Sequence, residues 1–327
     1  MKITPNRILL IKPSSMGDVI HSLPLLAALH HHWPEAEIRW IINPAWSALI
    51  ENNPAISETI LFPRDSFRGL FGLGAAWLWA RKLKSWKPDL AIDLQGLLRS
   101  ALMARYSEAS RIVGLSDARE GAGMFYSAKA CVNANMHAVE RYLCVLDLLR
   151  VPRQAPQFFL PEGKLPDGFS TSEKFVVLHP YARGKGKNLN QEQVKAFASA
   201  LEKIPLILVG RGEKYTDLPS NVIDWSERTT LLELIGILRQ ASFIISSDSG
   251  PMHLAAALQP ERTMAIHRWT DPLSVGPWSK KSLVWKNGVI KKVEDLTEVF
   301  RAPGPTPTLD EMKDLGHLIS SFQENWR

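Results

Sequence analysis

The chain alternates short, solidly apolar runs with longer stretches in which apolar residues recur at helical spacing. "RILLIK" (Arg7–Lys12) reads as a buried strand. A helical pattern follows it to about His32, where Trp33 and Pro34 end it. The alternation continues with "EIRWII" (Glu37–Ile42) as strand, Trp46–Asn52 as a short helix and "TILFP" (Thr59–Pro63) as strand. "DLAIDLQG" (Asp89–Gly96) is a strand ending in a polar turn, and "LLRSALMARY" continues as helix. Between Arg150 and Ser172 the periodicity disappears, and Pro152, Pro156, Pro161 and Pro166 mark a linker. A second series then begins. "KFVVLHP", "PLILVGRGE", "SFIISSDSG" and "RTMAIHR" read as strands, with helices "QEQVKAFASALEK", "TLLELIGILRQA" and "PMHLAAAL" between them.

Strands alternating with helices predict parallel sheets covered on both faces, an α/β chain. The two series predict two Rossmann-like domains, residues 1–160 and 161–327. Ligands in such sheets bind outside the carboxyl ends of the strands, so the two domains are expected to face across a cleft. The amphipathic tail at about 309–326 is expected to pack back on the N-terminal domain.

Composition narrows the class. At 327 residues the chain exceeds what one growing core accommodates, which agrees with two domains. With 45% hydrophobic and 22% charged residues it is ordinary for a globular protein. Cys131 and Cys144 have neither metal-ligand nor redox spacing, which suits a reducing compartment. No signal-peptide pattern and no membrane-length apolar run is visible, so a cytoplasmic protein is expected. Net charge is +6, and it is uneven. Residues 1–160 carry 18 Lys and Arg against 13 Asp and Glu, whereas residues 161–327 carry 21 against 20. A basic first half favours anionic partners. Arg64–Lys87 concentrates this charge, with six cations, one acid and five interleaved Phe and Trp. It reads either as a core helix with a solvated basic face or as a segment lying on anionic lipid. Nothing else supports nucleic-acid binding. No zinc spacing, Walker loop or G-x-G-x-x-G loop occurs.

Several corners carry candidate chemistry. In "FIISSDSGPMHLAAAL" (Phe243–Leu258) a strand runs through Asp248, Ser249 and Gly250 into a small-residue helix. Unsatisfied N–H groups and the helix dipole favour an anion there, and His253 adds a polar group one turn on. The same residues could instead cap the helix. "HPYARGKGKNL" places Arg183, Lys185 and Lys187 after a strand, as a diphosphate cradle or a solvated loop. Glu213, after the "VGRG" turn, could accept a ribose hydroxyl or lie on the surface. In "IKPSSMGDVIHSLPLL", Asp18 stands at a strand-to-helix corner as a general base or a helix-compensating acid. There Gly17 is expected to let the turn close and a substrate approach.

Four blocks occur in order: "IKPSSMGDVIHSLP", "DLQGLLRSAL", "HAVERY" (His137–Tyr142) and "SDSGPMHLAAAL". Together they resemble glycosyltransferase family 9, the lipopolysaccharide heptosyltransferases, and the first two look most like the heptosyltransferase I type. The resemblance implies a GT-B fold, with the acceptor on the N-terminal domain and an ADP-sugar on the C-terminal one. It implies inverting transfer of L-glycero-D-manno-heptose from ADP-heptose to the inner 3-deoxy-octulosonic acid of a lipid A precursor. Asp18 matches the family's catalytic base, and Lys187, or Lys185, its diphosphate-binding lysine. Glu213, Asp248, Ser249, Gly250, His253 and Thr270 fall on the donor side. Ser15, Met16, Gly17, Gln95, Arg119 and Glu120 fall on the acceptor side. No metal or other cofactor is implied. The implied partners are the ADP-sugar, an anionic lipid A-type acceptor and, transiently, the cytoplasmic face of the inner membrane. A different sugar nucleotide, a later core acceptor, or a nucleotide-sugar binding protein without catalysis are the alternatives. One departure is plain: Arg268 and Trp269 in "HRWTDP" stand where the family has small or imino residues.

Overall fold

Two strand–helix series give two compact units, Met1–Pro161 and Glu162–Arg327. The structure, a computed structural model, describes residues 4–67, 69–170, 174–184 and 187–322.

The first unit runs β1 (Arg7–Ile11), α1 (Met16–His32), β2 (Glu37–Ile42), β3 (Glu58–Leu61), α2 (Gly69–Trp86), β4 (Leu90–Asp93), α3 (Leu98–Tyr106), β5 (Arg111–Leu115), β6 (Ala128–Ala130) and α4 (Ala138–Leu149). Among the described residues its sheet has the order β3-β2-β1-β4-β5-β6, all parallel. Because β1 and β4 are neighbours while their chains cross over in opposite directions, the switch point lies between their carboxyl ends. Solid apolar runs suit this position: Ile8–Ile11 and Leu90–Ile92 are fully buried. The expected helix at Trp46–Asn52 is a 3-10 segment, Pro44–Ile50, entered by an Asn43 cap on the N–H of Ala45 at 2.8 Å. Helix α1 continues through Pro24. A proline there removes a hydrogen bond, and burial of every residue from Val19 to Leu29 offsets the loss.

The second unit runs β7 (Val176–His179), α5 (Gln191–Ala200), β8 (Leu206–Leu208), β9 (Val222–Asp224), α6 (Leu231–Gln240), β10 (Phe243–Ser247), α7 (Gly250–Leu258), β11 (Thr263–Ile266), α8 (Pro272–Val275), β12 (Leu283–Lys286), β13 (Val289–Lys292) and α9 (Leu309–Ser321). The order β13-β12-β11-β10-β7-β8-β9 repeats the first unit's arrangement, with β13 added antiparallel at one edge. Its switch point therefore lies between β7 and β10. Helix α9 packs on α5 of its own unit. Met312, Leu315 and Ile319 join Phe197 and Leu201 in one apolar cluster. Gly316 permits the approach, since a Cβ there would stand 2.6 Å from that of Ala200. Among the described residues no helix is long and apolar enough to cross a membrane.

Candidate active site

The first switch point gathers charge. Lys12 leaves β1 directly into it and is 4% exposed. Its ammonium donates to the Leu94 carbonyl at 3.3 Å and lies 3.6 Å from Asp18 Oδ1. Asp18 is the third residue of α1. Its Oδ2 accepts the N–H and hydroxyl of Ser15 at 3.0 and 2.9 Å. Helix α4 packs along α1 and brings the Tyr142 hydroxyl to Oδ1 at 3.0 Å. Burial opposes ionisation of Asp18. The Lys12 charge and the bonds from Ser15 and Tyr142 outweigh it, and the carboxyl lies below its ordinary range. Burial in turn pulls Lys12 below the usual lysine range, against the charges of Asp18 and Asp93. Burial and the neighbouring Asp18 push Tyr142 well above the usual phenol range, so it stays a donor. The carboxylate is nonetheless 38% exposed and open to a ligand.

It opens into a polar cavity of about 380 Å³ lined by Lys12, Asp18, Gln95, Arg119, Arg141 and Tyr142, among others. The cavity wall is built from the β4 corner. Asp93 is fully buried and accepts from Tyr126 and Ser100 hydroxyls at 2.7 and 2.9 Å and from the N–H groups of Gln95 and Gly96. Gly96 turns the chain with φ +66°. Gln95 then ties the two corners together, accepting from the Ser14 N–H at 3.3 Å. Arg141 pairs with Asp117 at the rim.

The structure thus brings Asp18, Ser15, Gln95 and Arg119 together. Met16 is 7% exposed. Gly17 is an ordinary second helical residue. The Ser15–Asp18 bonds close the corner. Glu120 uses its carboxylate on the N–H of Leu98 at 3.2 Å, bracing the start of α3. Lys12, Tyr142 and Arg141 were missed as site residues. A lysine ending an otherwise apolar strand is the one local signal for Lys12.

The second switch point carries the other candidates. Ser249 is the N-cap of α7, yet its side chain makes no cap bond. Its hydroxyl donates to the Ser247 carbonyl at 3.0 Å and meets His179 Nδ1 at 3.2 Å. Since the hydroxyl hydrogen is spent on Ser247, His179 supplies the Nδ1–H. Asp248 does not cap either; Oδ2 accepts the Thr270 hydroxyl at 2.7 Å. Thr270 Oγ1 in turn takes a hydrogen bond from His267 Nδ1 at 2.9 Å, and Lys286 Nζ donates to the Thr270 carbonyl at 2.7 Å. Neither side chain caps α7; Pro251 has no N–H and the Met252 N–H bonds the Ser249 carbonyl at 3.1 Å, so the Gly250 N–H and the helix dipole are what this first turn offers an anion. Gly250 begins that turn and His253 stands one turn in, half-buried. Lys187 is half-buried on the loop after β7, and its charge acts on His267. Lys185 lies outside the described residues. Glu213 is exposed on the loop after β8, where its carbonyl accepts from the Tyr181 hydroxyl at 3.0 Å. Arg268 turns inward, donating to the Thr306 hydroxyl at 3.0 Å, whereas Trp269 is 55% exposed. Among the described residues no group of three or more His, Cys, Asp or Glu could hold a metal ion.

The family pattern described as "Glycosyltransferase family 9 (heptosyltransferase)" matches residues 77–299. The chain belongs to glycosyltransferase family 9. Two similar proteins are the lipopolysaccharide core heptosyltransferase OpsX of Haemophilus influenzae and the lipopolysaccharide heptosyltransferase 1 of Pseudomonas aeruginosa. The first is 23% identical, covering 84% of this chain and 82% of that protein. The second is 27% identical over 85% and 82%. The structure of E. coli heptosyltransferase WaaC with ADP superposes with a TM-score of 0.75, covering 98% of this chain and 100% of that one at 22% identity. That likeness is one of fold, and the fold is GT-B. As a family 9 glycosyltransferase, the chain has its acid corner in one unit and its open helix terminus in the other.

Proposed function

We propose that this glycosyltransferase transfers L-glycero-D-manno-heptose, with inversion, from ADP-heptose to the inner 3-deoxy-octulosonic acid of a lipid A precursor. The work would be done at the cytoplasmic face of the inner membrane. The observation that carries the reading is Asp18, a carboxylate held ionised by Lys12, Ser15 and Tyr142 yet facing a cavity with two arginines. The names of the relatives, heptosyltransferases of lipopolysaccharide, support the donor and acceptor class.

Asp18 takes the proton of the acceptor hydroxyl while that oxygen bonds to the anomeric carbon and the bond to ADP breaks. An acid this weakly basic does not deprotonate a resting hydroxyl. It accepts the proton as the hydroxyl oxygen gains positive character, so transfer is late. Arg119 and Arg141 would hold the acceptor's carboxylates. On the donor side, Lys187 and the first turn of α7 take up the charge that grows on the leaving diphosphate. Asp248, fixed by Thr270, would receive donor hydroxyls, and Glu213 those of the ribose. Charge neutralisation of this kind calls for no divalent cation.

Asp18→Asn keeps size and loses the base. Turnover should fall by about 10²–10⁴-fold, while calorimetry shows ADP and ADP-heptose binding unchanged. Retained turnover in that variant would overturn the assignment. A panel of sugar nucleotides tests the donor. Activity with another sugar and none with ADP-heptose would move the chain to a different branch of the family.

A further inference from the structure

Helix α3 is apolar on both sides. Ser100, Ala101, Met103 and Ala104 are buried, as its position over the sheet requires. Its outer face carries Leu98, Leu102 and Tyr106, which are 39%, 44% and 50% exposed. These three stand four residues apart and form one stripe about 12 Å long. A surface helix ordinarily turns polar residues outward, and an exposed apolar stripe on one marks a surface with something apolar to meet.

The stripe does not stand alone. Met124, 82% exposed, lies on the 3-10 turn Ala122–Phe125 that packs against α3. On α2, Trp77 is 53% exposed with the Arg81 guanidinium over its ring at 4.8 Å. Trp77, Arg81 and Lys84 share a helix face by spacing. Lys84 pairs at 2.9 Å with Glu108, two residues past Tyr106, which sets that face beside the stripe. Lys87 also reaches Glu108, so the acid here is doubly neutralised. Arg99 and Arg105 flank the stripe within α3 itself. Exposed apolar side chains fringed by cations match a bilayer surface: apolar groups below the headgroups, cations among anionic phosphates. The stripe also begins at the cavity. Leu98 follows three residues after Gln95, which lines it.

We propose that the outer face of α3, with Trp77, Arg81 and Lys84 of α2, docks on an anionic phospholipid surface and presents the Asp18 cavity to a lipid-borne acceptor. This rests on the acceptor class proposed above. The full chain should float with phosphatidylglycerol-containing vesicles and not with phosphatidylcholine vesicles. Leu102→Ser combined with Tyr106→Ser, both on the solvent side, should weaken vesicle binding by about tenfold or more. Its turnover of a detergent-free, deacylated acceptor should stay at the wild-type level. Unchanged vesicle binding in that variant would overturn the docking face. So would absence of vesicle binding in the wild type, or a self-association that the same two substitutions abolish. Failure of the acceptor class would show differently, as no turnover of the deacylated acceptor by either protein.

Discussion

Lys12→Met tests how the acid corner works. Methionine fills the space of the lysine stem and removes its charge. In the native corner the ammonium stands 3.6 Å from Asp18 Oδ1. At that distance unit charges attract by about 1 kcal/mol in water and about 5 kcal/mol at an effective dielectric of 20. Asp18 is 38% exposed, so solvent screening holds the figure to about 1–2.5 kcal/mol, or about one to two pH units. The sign follows from the direction of the shift. The native carboxyl lies below its ordinary range, so turnover is sustained at neutral pH and lost as pH falls through that lowered value. Without Lys12 the burial term stands with less opposition and the acid limb must move up. The assay is kcat/KM against pH for both proteins with a fixed ADP-heptose supply. The limb of the variant should lie about one to two units higher, with a fold intact by circular dichroism. Stability should change little, because the substitution also removes a buried ammonium. An acid limb that does not move would refute the account, since Asp18 would then owe its ionisation to Ser15 and Tyr142 alone.

Other outcomes follow from the second unit. Lys187→Met should weaken ADP binding by about tenfold and flatten its salt dependence, read by calorimetry at two ionic strengths. Gly210→Ala should cost more than about 2 kcal/mol, because φ is +116° and the new Cβ would stand 2.5 Å from the His179 ring; an unchanged denaturation midpoint would contradict the packing. Burial holds His179 and His267 down to about 4. The unfolded chain binds these protons near pH 6.5, so each histidine should withdraw about 1.4 kcal/mol of stability per pH unit from there down to about 4. Denaturant midpoints measured across that interval should decline steadily. Chelation by EDTA should leave turnover unaltered if Lys187 and the α7 terminus carry the leaving-group charge.

Both strand–helix series and the corners bearing Asp18 and Asp248 were legible in the sequence, because they rest on local periodicity. A buried parallel strand must be an apolar run, and the helix after it must announce its start in polar letters. Val222–Asp224 and Ala128–Ala130 were illegible because three residues with a polar or small side chain among them show neither a period nor an apolar run, whereas the equally short Leu206–Leu208 was legible as a wholly apolar run. What each corner does was decided only in three dimensions. Asp248 and Ser249 read equally as caps until their side chains were seen to serve Thr270 and Ser247 instead. Lys12 does most to keep Asp18 ionised, and Tyr142, a partner 124 residues away, adds a hydrogen bond that fixes its orientation. Lys12 looked like the polar end of a strand, and it became a buried charge once β4 and α4 closed over it. Sequence sets where a charged group enters a sheet's edge. Its dielectric surroundings and partners come from segments far along the chain, and these determine its chemistry.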